Sequence, residues 1–180
     1  GEEGLDVVRR GADLVLLDLN LPGMDGLEVC RLLRRQPGST RVPIVIISLS
    51  ADRDIVDAVH GYGGLVFNDV ISDRHARKAI DNGCDGLIAV AAGAGGHTGN
   101  VSPFALVEEI RSWWDGPLAL SGAIATGRSV LAALAAGADL AYIGTPFIAT
   151  LEANAVDEYK AMVTAARSAD IVTTDYFSGV

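Results

Sequence analysis

No apolar run in this chain approaches the ~18 residues that a membrane-spanning helix needs, so no membrane partner is expected and the chain reads as soluble and cytoplasmic. No secretory signal pattern is present, and no initiator methionine. The opening GEEGLDVVRRGAD reads as a helix already under way, which predicts a truncated or excised N-terminus. Basic residues are scarce: 14 Lys and Arg stand against 23 Asp and Glu, for a net charge of −9. That balance excludes nucleic acid and anionic membrane surfaces as partners. The basic cluster Arg31, Arg34 and Arg35 reads as a solvated helix face. Cysteine is limited to Cys30 and Cys84, without metal-ligand spacing, so both are expected as buried thiols in a reducing compartment.

Apolar residues are abundant, at 49%, and so are the 21 glycines, most of them in loops that follow apolar runs. The runs are Leu14–Leu19, Ile44–Ser48, Leu65–Val70, Gly86–Val90, Leu118–Leu120 and Leu140–Ile143. Each is rich in Val, Ile and Leu on both faces, as strands covered on both sides must be. Helices are predicted over Gly4–Arg10, Leu27–Arg35, Arg53–His60, Ser72–Asn82, Pro103–Trp114, Arg128–Ala136 and Glu152–Ala166. Leu27, Cys30 and Leu33 share one helix face. Ser102 followed by Pro103 predicts a helix start, with a capping hydroxyl before a residue that needs no N–H acceptor.

This βα alternation predicts parallel strands with right-handed crossovers. The expected class is α/β: parallel βα strands in an incomplete TIM-barrel-like arrangement of about six strands, where a closed barrel has eight. Gly61-Tyr62-Gly63-Gly64 is the only seam, and it is too short for a flexible linker. The pieces on either side, 1–62 and 63–180, are therefore expected to share one sheet as one merged unit. Missing strands would leave two open edges, which predicts self-association.

In DLVLLDLNLPGMDG, Asp18 ends an apolar strand, where parallel sheets place their ligands. Together with PIVIISLSA, this stretch resembles the phosphoacceptor region of a response-regulator receiver domain over residues 1–60. The resemblance implies that Asp18 takes a phosphoryl group. It also implies that Asn20 offers a carbonyl to Mg²⁺, that Asp25 caps the next helix, and that Ser48 hydrogen-bonds the phosphoryl oxygen. The acidic pair and the lysine that receivers use are absent. Nothing here concentrates the metal or pairs the added charge.

From about Leu65 to Val180 three motifs follow one another: LVFNDVISDRHARKAIDNGCDGLIAV, AGAGGHTGNVSPFALVEEIR and PLALSGAIATGRSVLAALAAGADLAYIGTPFIAT. All three resemble the C-terminal half of a nitronate monooxygenase, an FMN enzyme on a (β/α)8 barrel. The resemblance implies FMN as cofactor, an alkyl nitronate and O2 as substrates, and His97 as the catalytic base. The neutral-range pKa of histidine suits removal of the proton α to a nitro group. Gly95 and Gly96 would let backbone approach the ring. Ser121, Gly122, Ala123, Gly144 and Thr145 would surround the FMN phosphate with backbone N–H groups. Ala123 stands where many relatives have a second glycine, and Pro146 where many have arginine.

Three functions follow as alternatives. One is an FMN-binding oxidoreductase fragment with turnover impaired by the absent half-barrel. Another is a phosphoacceptor receiver using Asp18, Ser48 and Mg²⁺. The last is a non-functional fusion of two pieces.

Overall fold

The structure is a computed structural model that describes residues 2–19, 23–35, 41–48 and 52–174. The chain forms two compact units, Gly1–Tyr142 and Ile143–Val180. All six strands lie in the first: β1 (Val15–Asp18), β2 (Ile44–Ser48), β3 (Leu65–Val70), β4 (Gly86–Val90), β5 (Leu118–Ser121) and β6 (Leu140–Ala141). They are all parallel and stand in consecutive order, β1-β2-β3-β4-β5-β6, as a curled half-barrel. Consecutive order is the winding of a barrel, whereas a doubly wound sheet places its first strand inside. The strands on either side of Gly61–Gly64 pair directly, Val45 with Leu65 through Ser48 with Asn68. Among the described residues β1 and β6 are the outermost strands of the sheet.

The helices of this unit are α1 (Glu2–Arg9), α2 (Gly26–Arg35), α3 (Arg53–His60), α4 (Asp73–Asp81), α5 (Pro103–Arg111) and α6 (Gly127–Ala135). Val29 and Leu33, Val56 and Val59, Ala76 and Ala79, and Leu106 and Ile110 seal one face of the sheet. They pack on Ile44, Ile46, Val66, Val70, Leu87 and Leu118. The opposite, inner face carries the alternate residues: Ile88, Val90 and Ala119 cluster with Ile47 and Phe67, and no helix residue joins them. That face is open at its margins, where Leu16 and Leu65 are about half exposed. Gly86 makes room there, because a Cβ would fall 2.5 Å from the Phe67 ring.

One turn recurs at three helix ends. Gly63, Gly83 and Gly137 adopt φ of 70°, 95° and 108°. The N–H groups of Gly64, Cys84 and Ala138 donate to Val59, Ala79 and Ala133 carbonyls, closing a Schellman cap each time. The Gly61–Gly64 stretch forms the C-terminal cap of α3. At the second and third of these ends an aspartate then pins the preceding strand. Asp85 Oδ2 accepts from the Val66 N–H at 2.8 Å, and Asp139 Oδ2 from the Leu118 N–H at 2.9 Å. His60 sits 2.9 Å from Asp85, and Arg111 2.6 Å from Asp139. A separate clamp joins α4 to α5: Trp113 Nε1 donates to Asp73, and Arg77 lies 4.3 Å over the Trp113 ring.

Helix starts differ in one respect from expectation. Asp25 does cap α2, accepting from the Leu27 N–H at 3.0 Å. Ser102 does not use its hydroxyl as a cap; α5 begins on Pro103, and the Ser102 carbonyl receives the Leu106 N–H. Proline at the first position removes one donor that a cap would have satisfied.

The second unit holds α7 (Thr145–Ile148), α8 (Asp157–Ala165) and a 3-10 turn at Ser168–Asp170. Lys160 Nζ reaches the Thr150 carbonyl at 2.9 Å. None of the described residues of this unit is buried, and Leu151, Ile171 and Val172 are largely exposed. The long helix expected over Glu152–Ala166 begins only at Asp157.

Candidate functional site

The C-terminal ends of the strands gather most of the residues of interest, as in other parallel βα folds. After β4 the chain runs through residues 91–101, a loop with no regular structure held by its own hydrogen bonds. Ala92 N–H donates to Val101 O at 2.8 Å, and the Thr98 hydroxyl lies 3.0 Å from Ala91 O. Gly99 is buried, and a Cβ there would collide with the Val90 carbonyl. That close approach lays the loop on the strand end. Gly95, Gly96 and His97 occupy its exposed crest, with Gly96 at φ 78°.

After β5 comes the corner Ser121-Gly122-Ala123. Ser121 is half-buried, and its carbonyl receives the Ala91 N–H at 2.9 Å, tying the two loops at their bases. Gly122 has φ 142°, and Ala123 has φ 53°, alone among the described non-glycine residues in being left-handed. A left-handed alanine costs about 1–2 kcal/mol, so the corner is held against a local preference. The Ala123 N–H is not directed outward: it donates to Gly93 O at 2.8 Å. The corner then leads into α6, whose cap is formed by Thr126 and Ser129. Ser129 N–H donates to Thr126 Oγ1, and Thr126 N–H to Ser129 Oγ. Two further N–H groups of that first turn, on Gly127 and Arg128, project along the axis, where the helix dipole favours an anion.

Asp18 and Ser48 end the adjacent strands β1 and β2. Asp18 is exposed and in register with Ile47, so it belongs to the inner face; Ser48 is buried, in register with Asn68. Asn20 and Pro22 lie outside the described residues. On the same inner face, β3 contributes Asp69, in register with Ile88. Its carboxyl is pushed up to about 6, first by burial and then by the charge of Asp18. Asp69 Oδ1 is sealed from solvent and has no hydrogen-bond partner. The phenol of Tyr142, just after β6, is raised by burial and by the same two carboxylates. A second anion therefore stands where a phosphorylated Asp18 would need a cation.

Gly144 and Thr145 belong to the second unit, where Gly144 precedes α7 and its carbonyl receives the Phe147 N–H. Both are exposed. Cys84 is buried, and its thiol is pushed up to about 11, chiefly by burial, so it stays protonated at neutral pH. Cys30 is buried and raised for the same reason. His60 and His75 are exposed, the latter 2.7 Å from the Ser72 hydroxyl. Among the described residues no group of three or more His, Cys, Asp or Glu could hold a metal.

Asp69 and Tyr142 were not singled out by sequence reasoning. The signal was available: in Leu65-Val66-Phe67-Asn68-Asp69-Val70 the alternation sets Asp69 on the face of Phe67, away from the helices.

The nitronate monooxygenase family profile matches residues 26–180, and so begins well before the third strand. A nitronate monooxygenase of Neurospora crassa is 35% identical over 114 residues, 57% of this chain and 29% of that protein. The DNA-binding response regulator MtrA of Mycolicibacterium smegmatis is 53% identical over 62 residues, 34% of this chain and 25% of that protein. Among solved structures, FabK from Thermotoga maritima superposes with a TM-score of 0.78 at 29% identity, covering 97% of this chain and 55% of that one. The chain spans about a third of the length of the curated monooxygenase and dehydrogenase relatives it matches. The chain is thus similar to proteins of two kinds, but the family profile covers most of it and the strands wind as a barrel: the chain belongs to the nitronate monooxygenase family.

Proposed function

We propose that this chain is an FMN-binding oxidoreductase fragment acting on nitro compounds with O2. The observation that carries this reading is the pair of loops after β4 and β5, tied base to base through Ala91 and Ser121 and presenting exposed Gly95, Gly96 and His97. Glycine crests leave no Cβ to hold a flat ring away. The α6 first turn supplies N–H donors for a phosphate, and Ser121, Gly122 and Ala123 shape the corner beside it. Ala123 acts here through its backbone bend, since its own N–H is engaged by Gly93. FMN, when bound, supplies the two-electron chemistry. His97 holds or accepts the proton α to the nitro group.

Titration of FMN into the protein, followed by flavin fluorescence, is expected to saturate at one equivalent. His97→Ala should keep that affinity within about threefold and lower turnover of nitroethane by about 10²–10⁴. Absence of saturable binding would remove the proposal.

The 62-residue likeness to MtrA gives the receiver reading its weight, but the facing Asp69 opposes it. We propose that the receiver-like strands serve as scaffold only. Intact-mass measurement after incubation with acetyl phosphate and Mg²⁺ is expected to show no addition; a stoichiometric phosphoryl mass lost in Asp18→Asn would contradict this.

A further inference from the structure

His97 stands on the exposed crest of the loop at 91–101. Among the described residues no backbone hydrogen bond holds Gly95, Gly96 or His97 itself. The two glycines before it leave that leg of the loop free to swing, because neither has a Cβ to restrict its backbone. The height of His97 is therefore set from its other side. Gly99 is wedged there: a Cβ would collide with the Val90 carbonyl and lie 3.2 Å from the Ile71 Cβ. Thr98, half-buried, donates its hydroxyl to the Ala91 carbonyl at 3.0 Å, across seven residues. The Gly99 carbonyl is a second acceptor at 3.1 Å, but a bond to the adjacent residue cannot join the two legs of a loop.

The acceptor of that bond is a junction. Ala91 O also receives the Ala94 N–H at 3.2 Å, so both of its lone pairs are engaged. Ala91 N–H donates to the Ser121 carbonyl at 2.9 Å, and two residues on, Gly93 O receives the Ala123 N–H at 2.8 Å. The Thr98 hydroxyl thus connects the crest to the corner that leads into α6. We propose that Thr98 is a positioning residue: its hydroxyl, bonded to the Ala91 carbonyl, holds His97 at a fixed height above Ser121-Gly122-Ala123. This rests on the reading of His97 as the base, and it names what aims that base. Thr98 acts through the backbone of its neighbour and not on the reacting atoms. A base works only within hydrogen-bond reach of its proton, and a displacement of about 1 Å costs about 10²-fold in rate.

Thr98→Val keeps the side-chain shape and loses the hydroxyl; Thr98→Ser keeps the hydroxyl. In the full chain with FMN, Thr98→Val is expected to lower kcat for nitroethane by about 10–10²-fold, with KM and FMN affinity within about threefold. Thr98→Ser should recover most of the loss. An unchanged kcat in Thr98→Val, a fall matched by lost FMN affinity, or no recovery in Thr98→Ser overturns the proposal. Backbone NMR order parameters give a readout that needs no turnover. Thr98→Val should drop Gly96 and His97 below about 0.6 while β4 and β5 stay rigid, and Thr98→Ser should restore them. Unchanged order at the crest in Thr98→Val overturns the proposal. Circular dichroism checks the fold, and if Thr98→Val does not fold, Thr98→Ala takes its place with the same expectations. A parent chain without turnover overturns the reading of His97 as the base; the order parameters then decide for the tether by the same criterion.

Discussion

Arg111→Ala is expected to lower the unfolding free energy by about 3 kcal/mol. One guanidinium there serves four acceptors. Nε donates to the Gly137 carbonyl at 2.7 Å, and Nη1 to the Gly116 and Trp114 carbonyls at 2.7 and 3.1 Å. Nη2 donates to Asp139 Oδ2 at 2.6 Å. The side chain is only 19% exposed, so water recovers few of these bonds when it is removed. The loss spreads because Asp139 also receives the Leu118 N–H, and that residue starts β5. Arg111→Lys should recover little, since an ammonium cannot reproduce the planar fork. Urea denaturation followed by circular dichroism measures both; a lysine variant as stable as the parent would show that charge alone matters.

Asp69→Asn is expected to act in the opposite direction, raising stability above about pH 6 by roughly 2 kcal/mol. The folded carboxyl is pushed from 3.8 up to about 6, by burial first and by Asp18 second. The folded state thus holds this proton more tightly than the unfolded chain does. Its contribution is complete below the ordinary aspartate value and is lost as pH rises through about 6. Two pKa units correspond to about 3 kcal/mol, and the partial exposure of the group reduces that to about 2. Asp139, whose carboxyl is lowered by the Leu118 N–H and then by Arg111, contributes in the reverse sense and loses its effect on acidification. Taking the difference between parent and Asp69→Asn at each pH removes that common background. The gap should open between about pH 4 and pH 6 and stay level above; parallel profiles would place Asp69 in ordinary solvent.

The parallel strands were legible because each is a short apolar run flanked by turn residues, and β2, β3 and β4 begin and end where those runs do. The last run was less legible: among the described residues Leu140–Ile143 pairs with β5 only at Leu140 and Ala141. Trp113 and Trp114 continue the apolar pattern of α5, yet α5 ends at Arg111, and the chain closes in a turn where the Trp113 and Trp114 N–H groups both donate to the Ile110 carbonyl. In the site, glycine spacing located the loops at residues 91–101 and at Gly122, since a positive φ leaves a mark on composition. It gave no warning that the Ala123 N–H is committed to Gly93, because a hydrogen bond between two loops has no local signature. The Gly-Cys-Asp and Gly-Ala-Asp triplets at 83–85 and 137–139 are legible in retrospect. Each sets a left-handed glycine two residues before an aspartate that pins the preceding strand.

The consecutive strand order has an evolutionary corollary. Each βα step touches the step before it and the step after it, so a foreign segment spliced onto such an array has to satisfy a single junction. A junction between β2 and β3 would have to keep Val45 against Leu65 through Ser48 against Asn68, with the glycine-capped end of α3 leading into β3. A segment exchanged on those terms would leave the glycine corners farther along undisturbed.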